Sequence, residues 1–152
     1  MSEHHILNQL TVFELTGKDT FDFLNNQIIS QLSESDGICY TAICNPHGRI
    51  LFSLIVLPSR NACKVAVNED LSDNFYHYVN MRRFRMNISI KKSDLNVRYG
   101  IDSKSSVQLQ NLEFALPKIS NNMATDDDFW QIIFELELPW ITAATSECFI
   151  PQ

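Results

Sequence analysis

The chain has none of the short motifs that identify the common classes of enzyme. No G-x-S-x-G, G-x-x-x-x-G-K-[ST], G-x-G-x-x-G or H-E-x-x-H pattern occurs in its 152 residues. Their absence excludes a nucleophile elbow, a phosphate-binding P-loop, a dinucleotide-binding fingerprint and a zincin helix as these motifs define them. The residues alone therefore indicate no catalytic group.

Cysteine pairs and long apolar runs are also missing. Cys39, Cys44, Cys63 and Cys148 are widely spaced with no C-x-x-C, which excludes a zinc ribbon and a disulfide framework and favours a reducing compartment. The N-terminus lacks the basic and apolar segments of a signal peptide. The longest mainly apolar run, at positions 50–57, is far shorter than the ~20 residues of a membrane span. We expect a cytoplasmic protein that does not contact a membrane.

Basic residues are outnumbered, 12 against 18 acidic, which gives a net charge of −6. This balance argues against direct DNA binding and against a general coat on nucleic acid. Five basic residues nevertheless form a cluster, called the basic segment below: Arg82, Arg83, Arg85, Lys91 and Lys92. Two interpretations stay open. The cations either stabilise a helix C-terminus and lie on the solvent-exposed face of a strand, or they form an anion patch for phosphate, a polyglutamate tail or RNA.

Hydrophobic periodicity predicts an α+β fold. Alternating residues indicate strands, and spacings of three and four indicate two helices, the second with an apolar stripe beginning at Leu71. Asp19 or Thr20 is expected to cap the first helix, and Asn68 the second. The order is β-α-β-β-β-α-β, a mostly antiparallel sheet with helices packed on it: strand 10–15, helix 19–32, strands 38–44, 49–57 and 63–68, helix 71–82 and strand 86–92. Residues 96–101 are a candidate for one further strand.

The two ends of the chain give weaker patterns. His4 and His5 are expected in a frayed N-terminus. Periodicity is patchy after position 102, and the apolar segment 129–141 fits either a helix or a strand.

A polar stretch, "CNPHGR", separates two of the predicted strands. Asn45, Pro46 and Gly48 stand where a type I turn followed by a glycine bulge requires them. Cys44 and His47 have the spacing of a metal-binding pair, but no second pair completes a tetrahedral site. We therefore predict a plain hairpin and no metal.

The order of several blocks resembles a known family. "LTG" with "DTFDFLNNQ", then "TAICNPHGRI", then "YVNMRRFRMNISI" and finally "FELELPWI…FIPQ" resemble the YgfZ-type folate-binding proteins, relatives of the glycine-cleavage aminomethyltransferase. The resemblance touches residues 9–92 and 129–152. It implies an N-terminal folate-binding-family region at 1–101 and a shortened second region at 102–152. It also implies that the C-terminal barrel domain, with its K-G-C-Y-x-G-Q-E motif, is absent.

The resemblance implies a tetrahydrofolate site. Trp130 or Phe129 would stack on the pterin, Glu135 would accept hydrogen bonds from the ring, and the basic segment would attract the glutamate tail. The remaining positions that match the family's pocket are Leu10, Asn25, Gln27 and Arg49. Where the family's glycine follows that glutamate, this chain has Glu137.

One departure bears on activity. The aminomethyltransferases carry a catalytic aspartate on the strand after the hairpin, and the matching positions here are Phe52 and Ser53. The resemblance therefore implies a folate-binding accessory protein without turnover, which assists iron–sulfur proteins or tRNA modification. Two alternatives stay open: a folate-dependent aminomethyltransferase-like enzyme, and a degenerate member that acts only as an interaction module. A homo-oligomer could cover the apolar C-terminal surface.

Overall fold

The computed structural model describes residues 3–35, 37–101, 112–115, 122–123, 125–136 and 139–145. Nine strands and three α-helices lie in these ranges, with a short 3-10 turn at Glu69–Leu71. In chain order they are β1 Glu3–Leu7, β2 Leu10–Thr16, α1 Thr20–Gln27, β3 Cys39–Cys44, β4 Ile50–Leu57, β5 Ala62–Asn68, α2 Ser72–Arg82, β6 Ser89–Lys92, β7 Asn96–Ile101, β8 Leu112–Ala115, β9 Asn122–Met123 and α3 Asp126–Glu135.

A five-stranded antiparallel sheet forms the centre of the molecule, with strand order β3-β4-β5-β2-β6. Strands β3, β4 and β5 form an antiparallel meander between α1 and α2, as the periodicity predicts. Both faces of β4 are covered, since Phe52 and Leu54 pack in one core and Ile55 in the other, which explains why the strand is apolar on both faces. The predicted α+β fold class and the β-α-β-β-β-α-β order are confirmed.

A second sheet has the order β8-β7-β1-β9. The β1 and β7 strands pair antiparallel with His5 opposite Tyr99, and β9 joins β1 in parallel. The expectation that His4 and His5 lie in a frayed terminus is therefore wrong. Their segment is too short and polar to show a period, and it becomes a strand because β7 pairs with it.

The central sheet separates two cores. Along β2, Leu10 and Val12 pack on the face that carries the second sheet and α3, while Phe13 and Leu15 pack on the face that carries α1 and α2. Successive side chains of a strand point to opposite faces, so a one-residue slip would exchange the two sets. Each such side chain contributes about 1.5–3 kcal/mol on burial, which fixes the register.

The first helix is shorter than predicted. It ends at Gln27, and Ile28 is extended and bridges to Ile43, while the Ile29 amide donates to the Ala42 carbonyl at 3.0 Å. Beyond Gln27 the chain pairs with β3 instead of continuing the helix, so that Leu32 is buried while Ile29 stays exposed. Tertiary pairing has overridden the helical period here.

The caps predicted for the first two helices are also wrong. No side chain caps α1, because the Asp19 carboxylate accepts instead from the Asn87 amide at 2.6 Å. Asn68 makes no cap bond either, and its amide bonds elsewhere as described below. The predicted strand 86–92 begins only at Ser89, because the Met86 amide closes a turn onto the Arg83 carbonyl at 2.9 Å. No helix in the described ranges is long and apolar enough to cross a membrane.

Candidate functional site

A groove of about 770 Å³ runs between α2 and the first half of β4. One face of α2 supplies most of its wall, because residues at spacings of three and four lie along one side of a helix. Arg82 is the one full cation among the lining residues, and no carboxylate is among them. The lining consists of Leu51, Phe52, Leu71, Asn74, His77, Tyr78, Met81, Arg82 and Ala143.

Tyr78, one of the lining residues, contacts three other side chains. Its hydroxyl donates to Gln27 Oε1 at 2.9 Å, and the Arg82 guanidinium carbon lies 4.3 Å from its ring centroid. Phe52 meets the ring edge-on with centroids 5.5 Å apart. Burial raises the pKa of Tyr78, the charge of Arg82 opposes that rise, and Cys44 adds to it. The phenol is therefore neutral and its ring is fixed in place.

One end of the groove is closed by Ala143, which belongs to residues 139–145, called the strap below. Ser53 and Tyr40 fasten the start of this strap. The Ser53 hydroxyl donates to the Pro139 carbonyl at 2.8 Å and accepts from the Ile141 amide at 3.0 Å. The Tyr40 hydroxyl donates to the same carbonyl at 2.6 Å. Ser53 is only 1% exposed, so these bonds satisfy a hydroxyl that water hardly reaches.

A second set of hydrogen bonds holds Trp140 and Ala143 of the strap. The Trp140 indole N–H donates to Asn68 Oδ1 at 3.1 Å, and the Asn68 amide donates to Asp70 at 2.5 Å. The other oxygen of the Asp70 carboxylate accepts from the Ala143 amide at 3.0 Å. Asp70 thus ties the residue that closes the groove to the end of β5, and the groove has a fixed wall on this side.

Four of the matched folate-site residues lie on the other face of the central sheet: Leu10 on β2, and Phe129, Trp130 and Glu135 on α3. Phe129 and Leu10 are buried in the core beneath α3. Trp130 is on the outer side of α3, edge-on to Phe129, and Glu135 accepts from Gln131 at 3.2 Å. Trp130 and Glu135 are five positions apart, which puts them about 140° apart around the helix. The structure therefore does not bring them together in one cavity.

Asn25 and Gln27, the matched polar pair, have separate roles. Asn25 Oδ1 accepts from the Leu32 amide at 2.8 Å and holds the loop after α1. Gln27 is the partner of Tyr78 and therefore supports the groove. Glu137 lies outside the described residues.

The polar stretch after β3 is a turn, and that prediction is confirmed. The Gly48 amide donates to the Asn45 carbonyl at 2.9 Å, with Gly48 at φ +79°. Asn45 Oδ1 accepts from the amides of His47 at 2.9 Å and Arg49 at 3.0 Å. Arg49 is exposed on this turn. Within the described residues, no group of three or more His, Cys, Asp or Glu side chains could hold a metal ion.

The basic segment divides into unlike parts. Arg82 enters the groove, Arg83 donates to the Ile88 carbonyl at 2.7 Å, and Arg85 lies 5.1 Å from the Phe84 ring centroid. Lys91 and Lys92 are exposed on the edge strand β6. Arg82 is the member of the basic segment that lines the groove, and an anion patch formed by all five residues stays a prediction.

Sequence reasoning did not identify Tyr78, Asn74 or His77 as site residues. Tyr78 shares a helical stripe with Leu71 and Arg82 in the sequence, but a stripe does not say whether it faces a core or a groove. Asn74 and His77 are not part of that stripe. No sequence pattern indicated the strap, because the residues to which it hydrogen-bonds are far away in the sequence.

No protein-family model matches this sequence, and no curated protein matches it significantly. A solved structure does match: glycine cleavage system aminomethyltransferase T from Bartonella henselae, with a TM-score of 0.57 at 13% sequence identity. The fold is of the aminomethyltransferase type. The match covers 64% of this chain but only 28% of the Bartonella protein. At this identity the likeness concerns the fold and not the activity.

Proposed function

We propose that this chain is a folate-binding accessory protein that holds a reduced folate in the groove between α2 and β4. The observation that carries the proposal is the groove itself, a cavity with one arginine and no carboxylate in its lining, within a chain of net charge −6. Its volume lies within the ~300–1,000 Å³ of small-molecule sites. The aminomethyltransferase-type fold agrees with a folate ligand at the level of fold.

The lining residues fit the chemistry of such a ligand. Leu51 and Met81 offer apolar surface to a flat ring, and Asn74 offers an amide donor and acceptor. Arg82 keeps its N–H edges available while its flat face rests on Tyr78, so it can pair with a carboxylate of the glutamate tail. The absence of an acid in the lining means that nothing there repels that tail.

The accessory role extends the proposal beyond binding. By the family resemblance, the folate-bound protein would assist iron–sulfur or tRNA-modifying proteins, without contacting DNA or a membrane. The alternative, an aminomethyltransferase-like enzyme, needs a carboxylate beside the Phe52 and Ser53 positions. Among the described residues, the hydrogen-bond partners found for the Ser53 hydroxyl are Tyr40, Pro139 and Ile141. No observation therefore favours the enzyme over the binding protein.

Isothermal titration calorimetry with 5-formyltetrahydrofolate tests the proposal. Calorimetry is preferable to fluorescence because neither tryptophan lines the groove. Arg82→Gln should weaken binding about 10–100-fold, since a charge-assisted hydrogen bond contributes roughly 1.5–3 kcal/mol. Arg85→Gln is the matched control, because it removes the same charge from the same end of α2 outside the groove.

Trp130→Ala separates this proposal from the site implied by the family resemblance. The groove proposal requires normal folate affinity in this variant. If Trp130→Ala abolishes binding and Arg82→Gln does not, the ligand lies on α3 and the groove proposal is wrong. If the folded wild-type chain binds no folate, the interaction module becomes the better description.

A further inference from the structure

One surface of the molecule, called the basic corner below, combines exposed apolar side chains with positive charge. It lies at the C-terminal end of α2 and consists of Met81, Phe84 and Arg85. Met81 is 69% exposed and Phe84 77% exposed. Arg85 has a φ of +60°, which is uncommon outside glycine, and its guanidinium lies over the Phe84 ring. The turn closed by Met86 holds this corner in shape.

A second surface, called the acidic helix face below, has the opposite sign. It is the outer side of α3, where Trp130 and Phe134 stand four positions apart, 45% and 82% exposed. The face also carries Asp126 and Asp127, and α3 contains no basic residue. The capping box is made by Thr125 and Asp128, and Asp126 Oδ1 accepts from Gln9 at 3.0 Å, an exposed hydrogen bond that leaves the negative charge of Asp126 in place.

We propose that the acidic helix face of one copy of this chain binds the basic corner of a second copy. Arginine pairs with carboxylates and stacks on aromatic rings, so Arg85 suits the face that carries Trp130 and Asp127. Each surface would repel a copy of itself, because its charges have one sign. The contact is therefore heterologous, head to tail, and each added copy leaves one surface of each kind free.

This association is weak and sensitive to salt. One helix face against one turn buries less than the ~1,200 Å² of the smallest standard interfaces. The charged groups are exposed, so added salt screens them. The proposal does not require bound folate, although Met81 belongs both to the basic corner and to the lining of the groove. The test is therefore made without folate, and its variants change Phe84 and Phe134, which do not line the groove.

Sedimentation velocity over a concentration series tests the proposal, with the full chain in about 20 mM and about 500 mM salt. The sedimentation coefficient of the wild type should rise with concentration in low salt and rise less in high salt. Phe84→Ser and Phe134→Ser should each abolish the rise. Ile29→Ser is the matched control, because Ile29 is also exposed but lies on neither surface.

An equimolar mixture of Phe84→Ser and Phe134→Ser, neither of which should associate with itself, gives the decisive result. Phe84→Ser keeps an intact acidic helix face, and Phe134→Ser keeps an intact basic corner. Together they should form a one-to-one dimer that cannot grow, with circular dichroism showing both variants folded. A monomeric mixture, or a wild type that stays monomeric at every concentration, would overturn the proposal.

Discussion

Removing the Ser53 hydroxyl should loosen the strap and destabilise the whole fold. In Ser53→Ala, the Ile141 amide loses its acceptor, and Ile141 is buried in the core beneath the helices. The Pro139 carbonyl keeps the Tyr40 hydroxyl, so it stays satisfied. An unsatisfied buried amide costs about 1–3 kcal/mol. We therefore expect the free energy of unfolding to fall by ~2 kcal/mol.

Tyr40→Phe should cost less, about 0.5–1 kcal/mol, because the donor itself is removed and the Pro139 carbonyl still accepts from Ser53. In the double variant that carbonyl loses both donors. The double variant should therefore lose more stability than the sum of the single variants, by roughly 0.5–1 kcal/mol. The coupling is at the lower end if water reaches Pro139, which is an exposed residue.

Guanidinium unfolding followed by far-UV circular dichroism measures both losses of free energy. In a thermal scan, a loss of 2 kcal/mol lowers the Tm by about 4–8 °C for a chain of this size. Trp140 fluorescence reports locally, since its indole bonds within the same strap. Ser89→Ala, at an exposed position on β6, is the control and should change stability by less than about 0.5 kcal/mol. A Ser53→Ala variant as stable as this control, or a double variant that is simply additive, would refute the reasoning.

Three further changes have outcomes set by single contacts. Gly17→Ala should lower the free energy of unfolding by roughly 3 kcal/mol or more, measured with a denaturant. Gly17 has a φ of +130°, and a Cβ there would lie 2.2 Å from the Asn87 carbonyl oxygen. Gly37→Ala is the control and should be neutral, because its Cβ would meet no atom within 4 Å. Burial raises the pKa of Tyr40, so its contribution to stability is present below about pH 10 and lost as the pH rises towards the folded-state pKa. Tyr40→Phe should therefore flatten the fall of Tm between about pH 9 and 11, and an unchanged slope would contradict this. Thr125→Ala removes one arm of the α3 capping box and should cost about 1 kcal/mol with a small loss of helical circular dichroism.

Local signals were enough to predict the central sheet. The Asn45 and Gly48 turn, the alternation along β2 and the two-sided apolar β4 strand each depend on residues close in sequence, and each was confirmed. Where sequence reasoning failed, a distant segment decided the outcome. The α1 helix stops at Gln27 because β3 offers the following residues a strand to pair with, and propensity alone does not contain that information.

The candidate site was less predictable than the fold, for the same reason. Ser53 acquires its partners from residues 86 and 88 positions away, and Gln27 meets Tyr78 across 51 positions. A single sequence contains no signal from which such long-range contacts could be predicted. Arg82 was singled out with four other basic residues, but only the packing of α2 against β4 distinguishes it from Arg83 and Lys91.

The β4 strand explains why a scaffold of this type suits binding. Phe52 and Ser53 are adjacent, so they point to opposite faces of the sheet. Phe52 packs edge-on against Phe75 and Tyr78, contacts that contribute about 0.5–1.5 kcal/mol each beyond burial, and Ser53 holds the strap. A carboxylate at either position would have to displace these contacts and lie in a site water hardly reaches, where a charge is costly unless it is paired. Both positions now stabilise the walls of the groove, and a groove with fixed walls needs little reorganisation to hold a ligand.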